Sequence, residues 1–284
     1  MREFDLINKF LKPLAGASSA GLADDCAFFF GYCVTKDVLV ADVHFFADDE
    51  PYNLARKSLR VNLSDLAASG AVPFGFMLGL ALPKTVNEKW LAEFSAGLKS
   101  DIEKYNFQML GGDTVYHDGE LMISVTAIGK AKKPVLRNGA KLGDNIFVSG
   151  KIGGGYIGLQ AKLRGEESDK YELPEPRVDL VSLIQKSANS CIDISDGLLA
   201  DLGHICEESG VGAEIFVGQI PLSAPNSLIL QQLAGGDDYE LLFTSGLENI
   251  KGCYKIGKIT KTAGISLDGK KVEALGYEHR WSKI

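Results

Sequence analysis

Hydrophobic and polar residues alternate along the first half of the chain with two different periods, which predict strands interleaved with helices. The run CAFFFGYCVTKDVLVADVHFF holds two stretches of aromatic and β-branched residues split by Gly31 and Tyr32, and predicts a hairpin or two strands. Apolar residues follow helical spacing from Asn53 to Ala71, and NEKWLAEFSAGLKSDIEKY predicts an amphipathic helix capped by Asn87. FGFMLGLALP, FQMLGGD and ELMISVTAIG each predict a further strand.

A second series of elements begins after the polar, glycine-containing stretch KKPVLRNGAKLGD. NIFVSG, CIDIS, AEIFVG, YELLFTS, YKIGKI and GISLDG predict strands, whereas GGYIGLQAKLRG, RVDLVSLIQKSA and DGLLADLGHICEES predict helices. We therefore predict a mixed α/β (α+β) fold with two domains, 1–132 and 133–284. Each of these is long enough to build its own core.

Composition and charge restrict the partners of the chain. Its 284 residues are 45% hydrophobic and 24% charged, as in an ordinary globular protein, and no apolar run is long enough to predict a membrane span. The net charge is −7 and no basic run is present, so we expect no nucleic-acid partner. Five scattered cysteines without a CxxC pair favour neither a disulfide framework nor a zinc site. The N-terminal stretch lacks the apolar region of a signal peptide, so we expect a cytoplasmic protein.

Carboxylates recur at the ends of strands or beside glycines at six places. They are Asp24–Asp25, Asp37, Asp65, Asp113, Asp193 with Asp196, and Asp237–Asp238. Taken singly, each is well explained as a helix cap or a turn residue, which aspartate favours. Taken together, each abutting a strongly apolar segment, they favour a site for Mg²⁺ or Ca²⁺, because these cations prefer oxygen ligands.

A glycine motif offers a competing hypothesis. Gly153, Gly155 and Gly158 form GxGxxG between a predicted strand and a predicted helix, with Glu175 about twenty residues on, which is the outline of a dinucleotide-binding fingerprint. However, Glu175 lies between two prolines and no parallel strand follows the helix. A tight strand-to-helix turn is the favoured interpretation, and no GxxxxGK[ST] motif supports P-loop binding.

The histidines are few and none has metal-ligand spacing. His44 follows a strand and precedes FFADDE, so a functional role and a structural role are about equally favoured for it. His204 lies on the predicted helix DGLLADLGHICEES and is better explained as a packed or surface residue.

Taken in order, the segments resemble the thiamine-monophosphate kinases, a branch of the aminoimidazole ribonucleotide synthetase-like superfamily. The matching segments are ADDCAFF, TKDVLVADVHF, ARKSLRVNLSDLAASGAVP, LGGDT, RNGAKLGD, DISDGLLADLGH and GGDDYELLF. NLSDLAASGA, GGDT and DISDGL are shared broadly, whereas VHF, DISDGLLADL and DYELLF indicate the kinase branch. The resemblance spans nearly the whole chain and implies a two-domain fold whose N-terminal sheets pair in a homodimer, with ATP in a groove at that interface.

The resemblance also implies a reaction, in which ATP and thiamine monophosphate give thiamine diphosphate and ADP by direct in-line transfer assisted by several Mg²⁺ ions. The segment 1–132 would then be the ATP-binding, metal-binding and dimerisation domain. No general base is expected, because a phosphate monoester is already largely deprotonated at neutral pH. The positions that match metal ligands are Asp25, Thr35, Asp37, Asp65, Asp113, Asp193 and Asp196. Those that match ATP contacts are Gly112, Asp113, Arg137 and Ser195, and those that match substrate contacts are His44, Asp237 and Tyr277.

Three positions depart from the pattern of this family. ADDCA replaces GDDAA, Lys36 replaces the second of two threonines, and Asp237 is one methylene shorter than the usual glutamate. Lys36 would either replace part of a metal's charge or face solvent. The alternatives are therefore a sibling ATP-dependent enzyme with another substrate and a non-catalytic Mg-ATP-binding protein, with an NAD-dependent oxidoreductase third.

Overall fold

The computed structural model describes residues 2–166, 168–225 and 227–279, and in these residues two separate sheets form. The strands are β1 (Ala27–Phe29), β2 (Tyr32–Val40), β3 (Val72–Leu82), β4 (Gln108–Tyr116), β5 (Met122–Lys130), β6 (Asn145–Val148), β7 (Ser190–Asp193), β8 (Gly212–Ile215), β9 (Leu241–Ser245), β10 (Tyr254–Thr260), β11 (Gly264–Leu267) and β12 (Lys270–Val272). The helices are α1 (Glu3–Leu6), α2 (Pro51–Ala68), α3 (Glu88–Tyr105), α4 (Gly154–Leu163), α5 (Asp169–Glu172), α6 (Val181–Ser187), α7 (Leu198–Ser209) and α8 (Ile229–Ala234).

The first sheet has five strands in the order β1-β2-β5-β3-β4. β3 and β4 are parallel and are joined through α3, whereas the other neighbouring strands are antiparallel. Helix α2 packs on one face of this sheet, where its Leu59, Leu63 and Leu66 join Ile123 and Val125 of β5 in the hydrophobic core. These residues are fully buried, so one face of the sheet carries the core and the other stays open.

The second sheet has seven strands in the order β12-β11-β8-β10-β6-β9-β7. β11 is parallel to β8, and the other neighbouring pairs are antiparallel. Helix α7 contributes Leu198, Leu202 and Ile205 to the core of this unit, where they join Ile192 of β7 and Ile256 of β10. β7 is an edge strand, and its last residue is Asp193.

Helix α2 connects the two units. Arg60 of α2 is 2% exposed, and its Nε donates to Asp101 of α3 at 2.6 Å. Its Nη1 donates to Glu175, beyond the first sheet in the chain, at 2.9 Å. Ala67 and Ala68 at the end of α2 join a hydrophobic cluster built mainly from the second unit. One helix therefore carries residues of the first unit to the edge of the second sheet.

The mixed α/β fold with two sheets agrees with the sequence prediction. The hairpin turns at Phe30 and Gly31, and Asn87 caps α3 by accepting a hydrogen bond from the Trp90 amide at 2.9 Å. The short elements α1, α5, α8 and β12 were not predicted. None of the helices in the described ranges combines the length and apolar content needed to cross a membrane. The boundary at 132 and the pairing of two chains stay predictions.

Candidate functional site

Carboxylates from both units meet where α2 approaches β7. Asp25 precedes β1, Asp65 lies on α2 and Asp193 ends β7, and these three offer oxygen atoms within 4.8 Å of one another. Thr35 of β2 joins them, because its Oγ1 donates to Asp65 Oδ2 at 2.5 Å. Asp37 lies two residues further along β2, on the same face of the strand. We refer to Asp25, Asp37, Asp65 and Asp193 as the carboxylate cluster.

The carboxylate cluster carries more negative charge than the protein alone neutralises. Burial, together with the charges of Asp25 and Asp37, raises the pKa of Asp193 to about 8. Burial and the neighbouring carboxylates also raise the pKa of Asp65 well above its ordinary value. The pKa of Asp37 rises to about 6, mainly through burial and then through Asp25. Each of these side chains therefore makes ionisation of its neighbours more costly.

The cluster fits divalent cations that bind oxygen. Asp25 Oδ2 and Asp193 Oδ2 are buried and accept no hydrogen bond from the residues that the structure describes. Buried carboxylate oxygens without donors are costly unless a cation neutralises them. An all-oxygen set of carboxylates and a hydroxyl is the donor type that Mg²⁺ and Ca²⁺ prefer. The residues therefore suit the metal that the sequence predicts.

Arg137 lies beside the cluster, on the segment that joins the two sheets. Its Nη2 donates to Asp25 Oδ1 at 2.5 Å, and its backbone amide donates to Asp24 Oδ2 at 3.0 Å. Burial disfavours its charge, but the adjacent carboxylates outweigh that cost and raise the pKa of the guanidinium. Arg137, predicted to contact ATP, is thus placed in direct contact with one of the predicted metal ligands.

A second acidic group follows β7. Asp196, Asp201 and His204 offer ligand atoms within 4.8 Å of one another. Asp201 Oδ2 accepts from the amides of Asp196 and Gly197, at 3.2 and 3.1 Å, which fixes the turn that holds Ser195. Burial lowers the pKa of His204 to about 4. Asp196 and Ser195 were predicted site residues, whereas no site role was predicted for Asp201.

A cavity of about 770 Å³ opens between the two units and brings the three predicted substrate residues together. His44, Asp237 and Tyr277 all line it, although they come from distant parts of the sequence. Asp37 of the carboxylate cluster and Asp196 line it as well. A molecule in this cavity would therefore contact both the carboxylates and the predicted substrate residues.

Lys57 and Tyr171 also line the cavity and were missed by the sequence analysis. Lys57 is 2% exposed and its Nζ donates to the His44 carbonyl at 3.3 Å. The Lys57 ammonium lies 3.8 Å from the centroid of the Tyr171 ring. A lysine in a helix is usually exposed, so no local signal in ARKSLRVNLSDL separates this buried lysine from a surface one.

Gly112 and Asp113 lie on β4, at the exposed edge of the first sheet. Across the sheet, Gly112 pairs with Leu78, Leu78 pairs with Val125, and Val125 pairs with Asp37. Gly112 and Asp37 therefore lie in the same row of cross-strand partners. Successive residues of a strand point to opposite faces, so Asp113 is placed on the face opposite Asp37. Within this chain, the structure does not bring Asp113 to the other predicted metal ligands.

The three departures from the family pattern have separate structural outcomes. Ala23 has φ −120°, so its position does not require the usual glycine. Lys36 points away from the carboxylate cluster, because its Nζ donates at 2.5 Å to Ser124 Oγ on the open face of the sheet. Asp237, which replaces the usual glutamate, lines the cavity, and its Oδ1 accepts a hydrogen bond from the Tyr239 hydroxyl at 3.1 Å.

The glycine motif binds a side chain of the protein itself. Asp238 accepts from the amides of Gly153 and Gly155, at 2.7 and 3.0 Å, and thereby places an anion at the N-terminus of α4. Glu175, the residue that a dinucleotide site would use for a ribose, pairs instead with Arg60 and Lys104. These contacts favour the interpretation of the motif as a strand-to-helix turn.

Comparisons with known proteins agree with this geometry. Models of the AIR synthase related protein N-terminal and C-terminal domains match residues 23–131 and 141–270. The chain is 39% identical over 267 residues to the thiamine-monophosphate kinase of Caulobacter vibrioides, covering 84% of this chain and 76% of that relative. It is 36% identical over 303 residues to the thiamine-monophosphate kinase of Aquifex aeolicus, covering 98% and 97%.

Solved structures show the same relationship. The structure described as AaThiL complexed with AMPPCP and TMP matches with a TM-score of 0.92 and 34% identity, over 98% of this chain and 97% of that one. The hydrogenase maturation protein HypE in complex with ATP matches at 16% identity with a TM-score of 0.70, which shows a shared fold alone. The chain therefore belongs to the AIR synthase related family and, within it, to the thiamine-monophosphate kinases.

Proposed function

We propose that this chain transfers the γ-phosphoryl group of ATP to the phosphate of thiamine monophosphate. The observation that carries the proposal is the cavity of about 770 Å³, which is lined by Asp37 of the carboxylate cluster together with His44, Asp237 and Tyr277. The full-length similarity to thiamine-monophosphate kinases supports the same activity. A solved relative of this fold is described as a complex with AMPPCP and TMP, which supports ATP and thiamine monophosphate as the two ligands.

The charge of each residue in the site determines which ligand it would bind. Mg²⁺ ions, which Asp25, Asp37, Asp65, Asp193 and Thr35 would hold, supply neutralisation of the phosphate charge when bound. Asp237 offers a carboxylate to the cationic thiazolium of the substrate, and Tyr277 offers an aromatic ring in the same cavity. The acceptor phosphate needs no base, since its second pKa is near 6. The protein therefore mainly orients two anions and excludes water around them.

Arg137 and Ser195 are proposed to contact ATP. Asp24 accepts from the backbone amide of Arg137 and Asp25 accepts from its guanidinium, so the side chain is oriented beside the carboxylate cluster. Ser195 lies in the turn after β7 and lines the cavity next to Asp196. Arginine suits phosphate oxygens because its planar group donates several hydrogen bonds at once.

We also propose that a second copy of the chain covers the open face of the first sheet. Val38, Met77 and Val115 expose 38%, 49% and 51% of their surface there, which is a large apolar contribution for a free sheet face. Asp113 belongs to the same face by its register. In such a dimer, Asp113 would face the interface and Gly112 would lie beside it on the edge strand β4, near the ATP groove that the family resemblance implies.

The test is to incubate the purified protein with Mg-ATP and thiamine monophosphate and to measure thiamine diphosphate by fluorescence after oxidation. Thiamine diphosphate in amounts equal to ADP supports the proposal. ADP without thiamine diphosphate would favour a sibling enzyme with another substrate. Binding of Mg-ATP without either product would favour a non-catalytic protein, and enhanced NADH fluorescence would favour an oxidoreductase.

A further inference from the structure

Lys57 places a buried ammonium group against the cavity, and the proposed reaction gives it no role. Its Nζ donates to the His44 carbonyl at 3.3 Å and lies over the ring of Tyr171. An ammonium has three donors, and this carbonyl is the only hydrogen-bond acceptor of Nζ among the described residues. Burying a charge with few partners is costly. The remaining donors are therefore available to a molecule that occupies the cavity.

The carboxylates near Lys57 make their hydrogen bonds elsewhere. Asp49 and Glu172 both pair with Lys162, at 2.6 and 2.7 Å. Asp237 accepts from the Tyr239 hydroxyl at 3.1 Å. These three carboxylates offset the charge of Lys57 at longer range, but they do not use its donors.

Lys57 lines the same cavity as Asp37, but along α2 it is remote from Asp65 of the carboxylate cluster. It precedes Asp65 by eight residues on the same helix, so about 12 Å of helix axis separates the two positions. The acceptor phosphate must lie at the cluster if the proposed function is correct. The opposite end of the same substrate, its aminopyrimidine ring, then extends toward Lys57 and Tyr171.

We propose that Lys57 is a specificity-determining residue that donates a hydrogen bond to a ring nitrogen of the aminopyrimidine of the substrate. This inference rests on the proposed function. The aminopyrimidine is neutral and carries two ring nitrogens that accept hydrogen bonds, which suits a cationic donor. The thiazolium is a cation and would be repelled by Lys57, and the phosphate is required at the carboxylate cluster.

The test compares wild type with Lys57→Met and uses two phosphate ligands, with and without the pyrimidine. The ligands are thiamine monophosphate and the phosphate ester of hydroxyethylthiazole, and calorimetry measures the binding of each in the presence of Mg²⁺ and a non-hydrolysable ATP analogue. Kinetics measure kcat/KM for thiamine monophosphate and KM for ATP. Lys89→Met, at an exposed lysine of α3, is the matched control.

Lys57→Met should lower kcat/KM and affinity for thiamine monophosphate by about 10- to 100-fold, the effect of losing a hydrogen bond to a charged donor. Affinity for the thiazole phosphate and KM for ATP should change less than about threefold. Equal losses for both phosphate ligands, or no loss for either, would overturn the inference. Lys57→Gln, which keeps a donor, should recover part of the loss and guards against a variant that does not fold.

Analogues of thiamine monophosphate in which one ring nitrogen is replaced by C–H give a second readout. Wild type should discriminate against one of the two analogues, and Lys57→Met should bind that analogue and the natural substrate alike. Equal discrimination by both proteins would refute the contact. Wild type that binds thiamine monophosphate without turnover would refute the proposed reaction and still decide the role of Lys57. Wild type that does not bind it would refute both.

Discussion

Replacing Asp193 by asparagine should stabilise the metal-free protein. Asp193 is 1% exposed, and its pKa rises from 3.8 to about 8 in the folded state because of burial and the charges of Asp25 and Asp37. Between these two pH values the unfolded chain loses a proton that the folded protein keeps. The contribution of Asp193 to the free energy of unfolding therefore falls as the pH rises from about 4 to about 8.

The magnitude follows from the size of the pKa change. At pH 7 the unfolded carboxyl is about three pH units above its pKa, which corresponds to a cost on the order of 4 kcal/mol for the folded protein. At pH 5 the same relation gives a cost to the folded protein of roughly 1 to 2 kcal/mol. Asparagine has a similar shape and does not ionise, so Asp193→Asn should remove this pH-dependent cost.

Urea unfolding in the presence of a chelator, at pH 5 and at pH 7, measures the difference. Asp118→Asn is the control, because the Asp118 carboxylate is 76% exposed and pairs with Lys84 on the surface. The control should change stability by less than about 0.5 kcal/mol at either pH. Saturating Mg²⁺ should stabilise wild type more than Asp193→Asn, since bound ligand adds to stability. A variant that is no more stable than wild type at pH 7, or a difference that does not shrink at pH 5, would refute the reasoning.

Three other substitutions test separate parts of the structure. Asp65→Asn should lower kcat at least a hundredfold while the circular dichroism spectrum stays unchanged, and near-normal turnover would contradict a metal role for the carboxylate cluster. Arg60→Met should destabilise the protein by about 3 kcal/mol in urea unfolding, because it removes the Nε and Nη2 donors from the buried Asp101 carboxylate. The control is Lys99→Met, at an exposed lysine. A loss of stability as small as that of the control would contradict this prediction. Val115→Glu should convert a dimer to monomers in light scattering, whereas an unchanged mass would exclude the open face of the first sheet as the interface.

Elements whose local pattern agrees with their tertiary surroundings were predictable. The hairpin of β1 and β2 has a turn glycine at positive φ, and α3 has both an amphipathic pattern and a side-chain cap. β12 was missed because three residues, two of them exposed lysines, carry no periodic pattern. Its pairing with β11 depends on the rest of the second sheet.

The candidate site was predictable where residue type alone indicates the chemistry. Aspartates beside apolar segments indicated a cation site, and the structure brings Asp25, which precedes β1, together with Asp65 of α2 and Asp193 of β7. The faces of a strand were harder to assign, since the positions of Lys36 and Asp113 depend on sheet register. Lys57 could not be found at all, because its burial results from Tyr171 and from the loop of His44, which are distant in sequence.

Transfer of label from γ-³²P-ATP tests the central claim most directly. With thiamine monophosphate and Mg²⁺, the account predicts that label appears in the terminal phosphate of thiamine diphosphate, in amounts equal to the ADP formed. Label that appears only in inorganic phosphate, or that remains in ATP while thiamine monophosphate binds, would contradict direct phosphoryl transfer in this cavity.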